Sequence, residues 1–333
     1  LSSLSIAYLF LGGTGAGAVL VACLLDMLWA HEPFGAAVPC SLGASSLQHR
    51  AIAFTCAVGT LCLIAGSLCL LFDLGRLDRV IFLIQNPSLT YLTFGAVALG
   101  LLIACAAFLT LVRFVFLPII PGVLVVVIES LACVLSLGVM LYTGLLLESL
   151  GSVSAWNTPL VPILFLLSSA SCGIAVALVC AFFDGHAVGG FAVPRILIFA
   201  DAAIVSGEFV ATVPYGLLPP AGASFASLAT GDALALLLWW LGFVFCGIAA
   251  PLVLETIAHK RLSLPNRSGQ AFACLAIASV LVLVGGACLR VGVVNMGAMP
   301  KWNFGLPLSG PFKRTTQERS GCYEKRCLRC LSF

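Results

Sequence analysis

The chain has 333 residues, of which 61% are hydrophobic and only 9% charged, and its mean hydropathy is +1.16. Soluble domains average roughly 45 to 50% apolar and about 25% charged residues, so this composition excludes a surface that faces water and requires one that faces lipid. The net charge of +3, from 16 Lys and Arg against 13 Asp and Glu, is too small for a nucleic-acid-binding surface.

A helix crosses the roughly 30 Å of bilayer hydrocarbon with about 20 apolar residues. Eight runs of that length follow one another, near residues 6–29, 51–72, 89–112, 122–147, 160–183, 194–213, 231–254 and 270–290. They are continuous rather than alternating, which predicts helices and not barrel strands. The predicted fold is all-α: a polytopic membrane protein of eight transmembrane helices over residues 1–295. A polar, Cys-containing tail, 296–333, is expected to be poorly ordered. The first run is too long for a signal peptide and has no basic leader, so it reads as a span.

Within that first span, Gly12, Gly13, Gly15 and Gly17 superficially resemble a nucleotide-binding glycine loop. No strand precedes them, and a small-residue packing face including Gly13 and Gly17 is the expectation. Before span 5, Trp156 reads as an interfacial aromatic, Asn157 and Thr158 as N-caps and Pro159 as the first helical residue. A second small-residue run, Ser168 to Gly173, lies inside span 5. The likeness of spans 1 and 5 suggests two four-helix halves.

Loop charge gives an orientation. Arg50, Arg113, Arg195, Lys260, Arg261 and Arg267 follow spans 1, 3, 5 and 7, whereas the alternate loops carry Arg76 and Arg79, offset by Asp73 and Asp78. Positive loops stay in the cytoplasm, so both termini are expected outside, in the cell (cytoplasmic) membrane. The basic tail is distant from a span and counts for less.

Of fifteen Cys, eleven lie in the spans, where they act as small apolar residues. Cys322, Cys327 and Cys330 have the spacing that begins a plant-type iron–sulfur ligand set, but no fourth Cys follows and no metal site is expected. His31, His49, His186 and His259 fall at or beyond span ends, so haem ligands on facing helices are not expected either.

Acids inside hydrocarbon cost about 2.5 to 3.5 kcal/mol on insertion scales, which marks Glu129, Asp201 and Glu208 as candidates. Glu208 lies two turns from Asp201 on one helix face, and Glu129, Ser136 and Thr143 repeat that spacing in span 4. If the two stripes faced each other they would form part of a proton path; interhelical hydrogen bonding is the competing reading. A second polar group, Tyr8, Asp73, Arg76, Arg79, Tyr142 and Arg290, falls at the outer boundary. A quinol head group needs hydrogen-bond partners at both oxygens, an apolar slot for its tail and a base open to water. An aromatic belt and a salt-bridged turn are the alternatives.

The stretches Tyr8 to Ala18, Phe72 to Arg79 followed by Asn86-Pro87-Ser88, Tyr142 to Ala170 with its WNTP run, and Leu289-Arg290 resemble the NrfD/PsrC family, the polysulfide-reductase-type membrane subunits. The resemblance covers about residues 5–295. It implies a haem-free, eight-helix anchor in anaerobic respiration that binds menaquinone or ubiquinone near the outer face. By itself such an anchor is not catalytic. Its partners would be a peripheral four-cluster-type iron–sulfur protein and, through it, a catalytic reductase or dehydrogenase subunit, in some complexes a molybdopterin enzyme. Tyr8, Asp73, Arg76 and Tyr142 match the family's quinone pocket. Leu77 stands where the motif usually has Pro, and the polar position one turn before Tyr8 has no clear match among Leu4 and Ser5. The alternative from another class is a secondary transporter with the buried acids on its translocation path.

Overall fold

The structure, a computed structural model, describes residues 3–29, 46–74, 91–114, 121–149, 156–183, 192–217, 236–262 and 268–298. The chain divides after Ala298 into two units, and the second, Met299–Phe333, lies outside the described residues. The tail cysteines, Arg76, Arg79, His31 and His186 lie outside them too.

All regular structure among the described residues is helical: α1 (Ser3–Trp29), α2 (Ser46–Leu74), α3 (Tyr91–Phe114), α4 (Gly122–Glu148), α5 (Leu160–Phe183), α6 (Ala192–Leu217), a π-helical segment (Leu238–Ala249) that continues into α7 (Ala250–Leu262), and α8 (Ser268–Ala298). Eight of the resulting spans are long and apolar enough to cross a membrane. Large apolar side chains such as Phe94, Val134, Phe199 and Val210 point outward, while Glu129, Asp201, Glu208, Glu255 and Arg290 are buried. This inversion of the soluble pattern is what a lipid-facing surface requires. Successive spans alternate in direction, so one end of the bundle carries Tyr8, Asp73 and Tyr142 and the other carries Asp26 and Arg113. We call these the Tyr8 end and the Arg113 end.

Two helices form the centre. In α1 and α5 the most apolar stretches are 83% and 67% buried, against 28 to 44% in the other spans. α1 packs on α2, α4 and α5, while α5 also meets α4, α6 and α8. Lipid tails are as apolar as leucine, so helices in a membrane associate by close backbone approach and polar bonds. Glycine makes that approach possible. A Cβ on Gly17 would overlap the Ser169 carbonyl, and one on Gly173 would overlap the backbone of Gly17. The small-residue faces expected in spans 1 and 5 are therefore the two sides of a single contact. Gly247 and Gly285 form a second one, between the π segment and α8.

Replacing Gly17 or Gly173 with Ala is expected to force α1 and α5 apart at a cost of about 1 to 3 kcal/mol. Gly100→Ala, at a site with nothing within 4 Å, should be neutral. Thermal unfolding in detergent solution distinguishes the variants, and equal midpoints for all three would show that the contact contributes nothing.

Span 7 departs from an ordinary α-helix. Pro251 lies inside the helix, lacks an N–H and crowds the carbonyl four residues earlier. The backbone responds with wider winding ahead of it: the Ala250 N–H bonds to the Phe245 oxygen, five residues back. Span 7 then runs to Leu262, past the expected end at 254. α8 likewise runs to Ala298, past the expected 290. Both shifts bring charge inside the bundle.

At the Tyr8 end, Trp156 is buried, and its indole Nε1 donates to the Val293 oxygen at 2.7 Å. It pins the segment before α5 to α8 and is not an interfacial belt residue. α5 itself begins at Leu160, directly after Pro159.

Candidate functional site

The sequence-derived candidates separate into three places. The first is the Tyr8 end. Tyr8 on α1 and Tyr142 on α4 are neighbours, and both are buried, at 1% and 3% exposure. The Tyr8 hydroxyl faces Tyr142 without a hydrogen bond of good geometry. A poorly bonded buried hydroxyl is costly, by up to about 1 to 3 kcal/mol. The Tyr142 ring lies directly over Gly95 of α3, where any Cβ would overlap it; only glycine admits the ring. One turn before Tyr8, Ser5 Oγ donates to Asp73 Oδ2 at the end of α2. Ser5 is thus a polar group one turn before Tyr8. Asp73 is exposed, while Ser5, Tyr8 and Tyr142 are not. A ligand reaches the tyrosines only if neighbouring side chains move.

The second place is one turn deeper. Arg290 reads from the sequence as the end of span 8, but two further turns of α8 follow it and its exposure is 0%. Burying a guanidinium costs several kcal/mol unless its donors are used. Here Nε donates to the Leu9 oxygen at 3.0 Å, Nη1 to Ser168 Oγ at 3.1 Å and to the Gly286 oxygen at 2.7 Å, and Nη2 to Ser169 Oγ at 2.8 Å. The Phe10 and Phe165 rings lie 5.6 and 5.4 Å from its central carbon, within cation–π range. Gly13 and Gly286 leave room for this side chain, since a Cβ on either would crowd its Nη atoms. Glu208 of α6 approaches the same group, within reach of Ser168 Oγ.

The third place comprises two acid clusters nearer the Arg113 end. Arg113 Nη2 bridges Asp26 Oδ2 at 2.9 Å and Glu129 Oε1 at 2.8 Å, tying α1, α3 and α4 together. Separately, Ser171 Oγ on α5 donates to Asp201 Oδ1 on α6 at 2.6 Å, and Asp201 meets Glu255 of α7. Glu129 and Asp201 therefore belong to different clusters. α4 packs on α1, α3 and α5, and α6 on α5 and span 7, so the two polar stripes do not face each other as a single path. Ser136 and Thr143 are buried on α4 above Glu129.

Asp26 and Glu255 are not among the sequence candidates, and the serines of α5 read from the sequence only as part of a small-residue run. Asp26 was discoverable, being an acid three residues inside a marked span. Glu255 lies one residue past the span end expected at 254, in a helix that runs to Leu262.

A bundle of apolar-surfaced helices with charged groups enclosed between them defines a polytopic helical membrane protein. The chain belongs to the NrfD family: the family model described as "Polysulphide reductase, NrfD" matches residues 2–300. It is similar to the C subunit of polysulfide reductase from Wolinella succinogenes, 27% identical over 310 residues, with 87% of the present sequence and 92% of that protein matched. It is also similar to protein NrfD of Escherichia coli, 29% identical over 294 residues, with 78% and 85% of the two sequences matched.

Proposed function

We propose that this protein is the membrane subunit of a quinone-linked oxidoreductase, exchanging electrons between a quinol or quinone at the Tyr8 end and a peripheral iron–sulfur protein docked on that face. The observation that carries the reading is the buried tyrosine pair, Tyr8 facing Tyr142, in a member of the NrfD family. The name of its Wolinella relative supports a partner with catalytic chemistry. By loop charge, the Arg113 end is cytoplasmic and the Tyr8 end is outside.

In this reading a bound quinol supplies two electrons and two protons. Tyr8 and Tyr142 hydrogen-bond the head-group oxygens and fix their position. Asp73, oriented by Ser5 and open to water, accepts protons and releases them at the same face. Arg76, three residues further along the sequence, contributes positive charge. The electrons pass to clusters held by the partner, since this subunit supplies binding and orientation rather than redox groups.

A secondary transporter is the other class of reading. Transporters place substrate near the midplane between broken helices, whereas α1 to α5 here are each a single helix. Purification of the tagged protein from its native membrane decides between them. A co-purifying iron–sulfur protein whose clusters are reduced by added quinol is expected. A lone subunit that moves solute across reconstituted vesicles would overturn the proposal.

A further inference from the structure

The Asp201 and Glu255 carboxyls meet in the bundle interior at 1% and 2% exposure. Two carboxylates in contact there repel each other, so the dianionic pair is a strong proton acceptor, and the two groups bond to each other only when one carries a proton. Ser171 donates to Asp201 Oδ1, which ties the pair to α5. The Glu255 Oε2 atom is buried and no donor group among the described residues reaches it.

Glu255 lies about 10 Å from the end of α7 at 1.5 Å per residue, and His259 follows one turn closer to the Arg113 end, its ring edge-on to Phe199 at 5.0 Å. Lys260 and Arg261 complete that last turn. In the other direction Glu208 lies about 10 Å further along α6, too far for direct transfer, and Arg290 stands beyond it. A fixed buried cation repels a migrating proton, as charged constrictions do in channels. The charged and titratable groups around the pair are thus Glu208 on α6, His259 on α7, Cys172 on α5 and, beyond Glu208, Arg290 on α8.

We propose that Asp201 and Glu255 form a one-proton site, loaded from the Arg113 end past His259 and closed toward the Tyr8 end by Arg290. A proton from water at the Arg113 end bonds to a carboxylate oxygen of the dianionic pair, giving a shared O–H···O bond. Release reverses the step along the same route. The site deepens the redox reading by giving the complex a proton reservoir on the face opposite its quinone. Its existence stands on the geometry of α5, α6 and α7 alone.

Infrared difference spectra of the full-length protein in lipid nanodiscs, recorded across a pH titration and in D2O, test this. One protonated-carboxyl band is expected to belong to the pair and to disappear in both Asp201→Asn and Glu255→Gln. Glu255→Asp should keep it at a shifted frequency. In His259→Phe the band should persist, but its deuterium exchange should slow about tenfold. Tyr8→Phe should alter neither band nor exchange rate, so a failure of the quinone reading is distinguishable from a failure here. Two independent bands, each lost in only one variant, or no band sensitive to either, would overturn the proposal. Unchanged exchange in His259→Phe would overturn the access route.

Discussion

Replacement of Arg290 by Met is expected to lower the stability of the folded protein by about 3 kcal/mol. Removing a buried charge relieves its desolvation, and that gain opposes the loss. The loss wins because four acceptors are left behind: the Leu9 and Gly286 carbonyls and the Ser168 and Ser169 hydroxyls. Hydrogen bonds to a charged donor contribute about 1.5 to 3 kcal/mol each, and two of the acceptors are serines with few alternatives. Arg290→Lys should recover only part of the loss, because one ammonium cannot reproduce a planar fork reaching α1, α5 and its own helix. Unfolding in a graded denaturing detergent measures both variants. A Met variant as stable as the parent would mean that Arg290 does not join these helices.

Tyr8→Phe is expected to behave in the opposite way, leaving stability unchanged or raising it by about 1 kcal/mol while slowing quinol oxidation by the complex about tenfold or more. The stability expectation follows because this buried hydroxyl makes no hydrogen bond of good geometry. The rate loss follows if that hydroxyl waits for a quinol oxygen, since one hydrogen bond worth about 1.4 kcal/mol in the transition state is a factor of ten. A structural tyrosine would give a coupled loss of both. Gly95→Ala, which displaces the Tyr142 ring, should lower oxidation by a comparable factor without touching either hydroxyl. Oxidation at parental rates in Tyr8→Phe would remove Tyr8 from the site.

Helix number and type were legible because hydrocarbon imposes a length and forbids open backbone, and both constraints act on composition alone. The glycine faces were legible for the same reason: a small-residue stripe in lipid has little use except close packing. Depth was harder to read. Arg290 looks like a span end because charge normally stops an apolar run, yet it is buried among α1, α5 and α8, where four acceptors offset its desolvation. Glu255 was missed on the same logic, as the first charge after an apolar stretch. Pairing across helices was not legible at all. That Asp26 and Glu129 share Arg113, while Asp201 takes Ser171 and Glu255, depends on which spans are neighbours, and no local pattern encodes that. At the Tyr8 end the two tyrosines read as rim residues, and the structure buries both while leaving Asp73 exposed.

The most direct test of quinone binding at the Tyr8 end is photo-crosslinking of the intact complex with a quinone bearing an azido group on its ring, followed by peptide mapping. Labelling should fall on α1 around Tyr8 and on α4 around Tyr142, and excess native quinol should suppress it. Competable labelling confined to the Arg113 end or to the bundle midplane, with α1 and α4 unlabelled at the Tyr8 end, would contradict it.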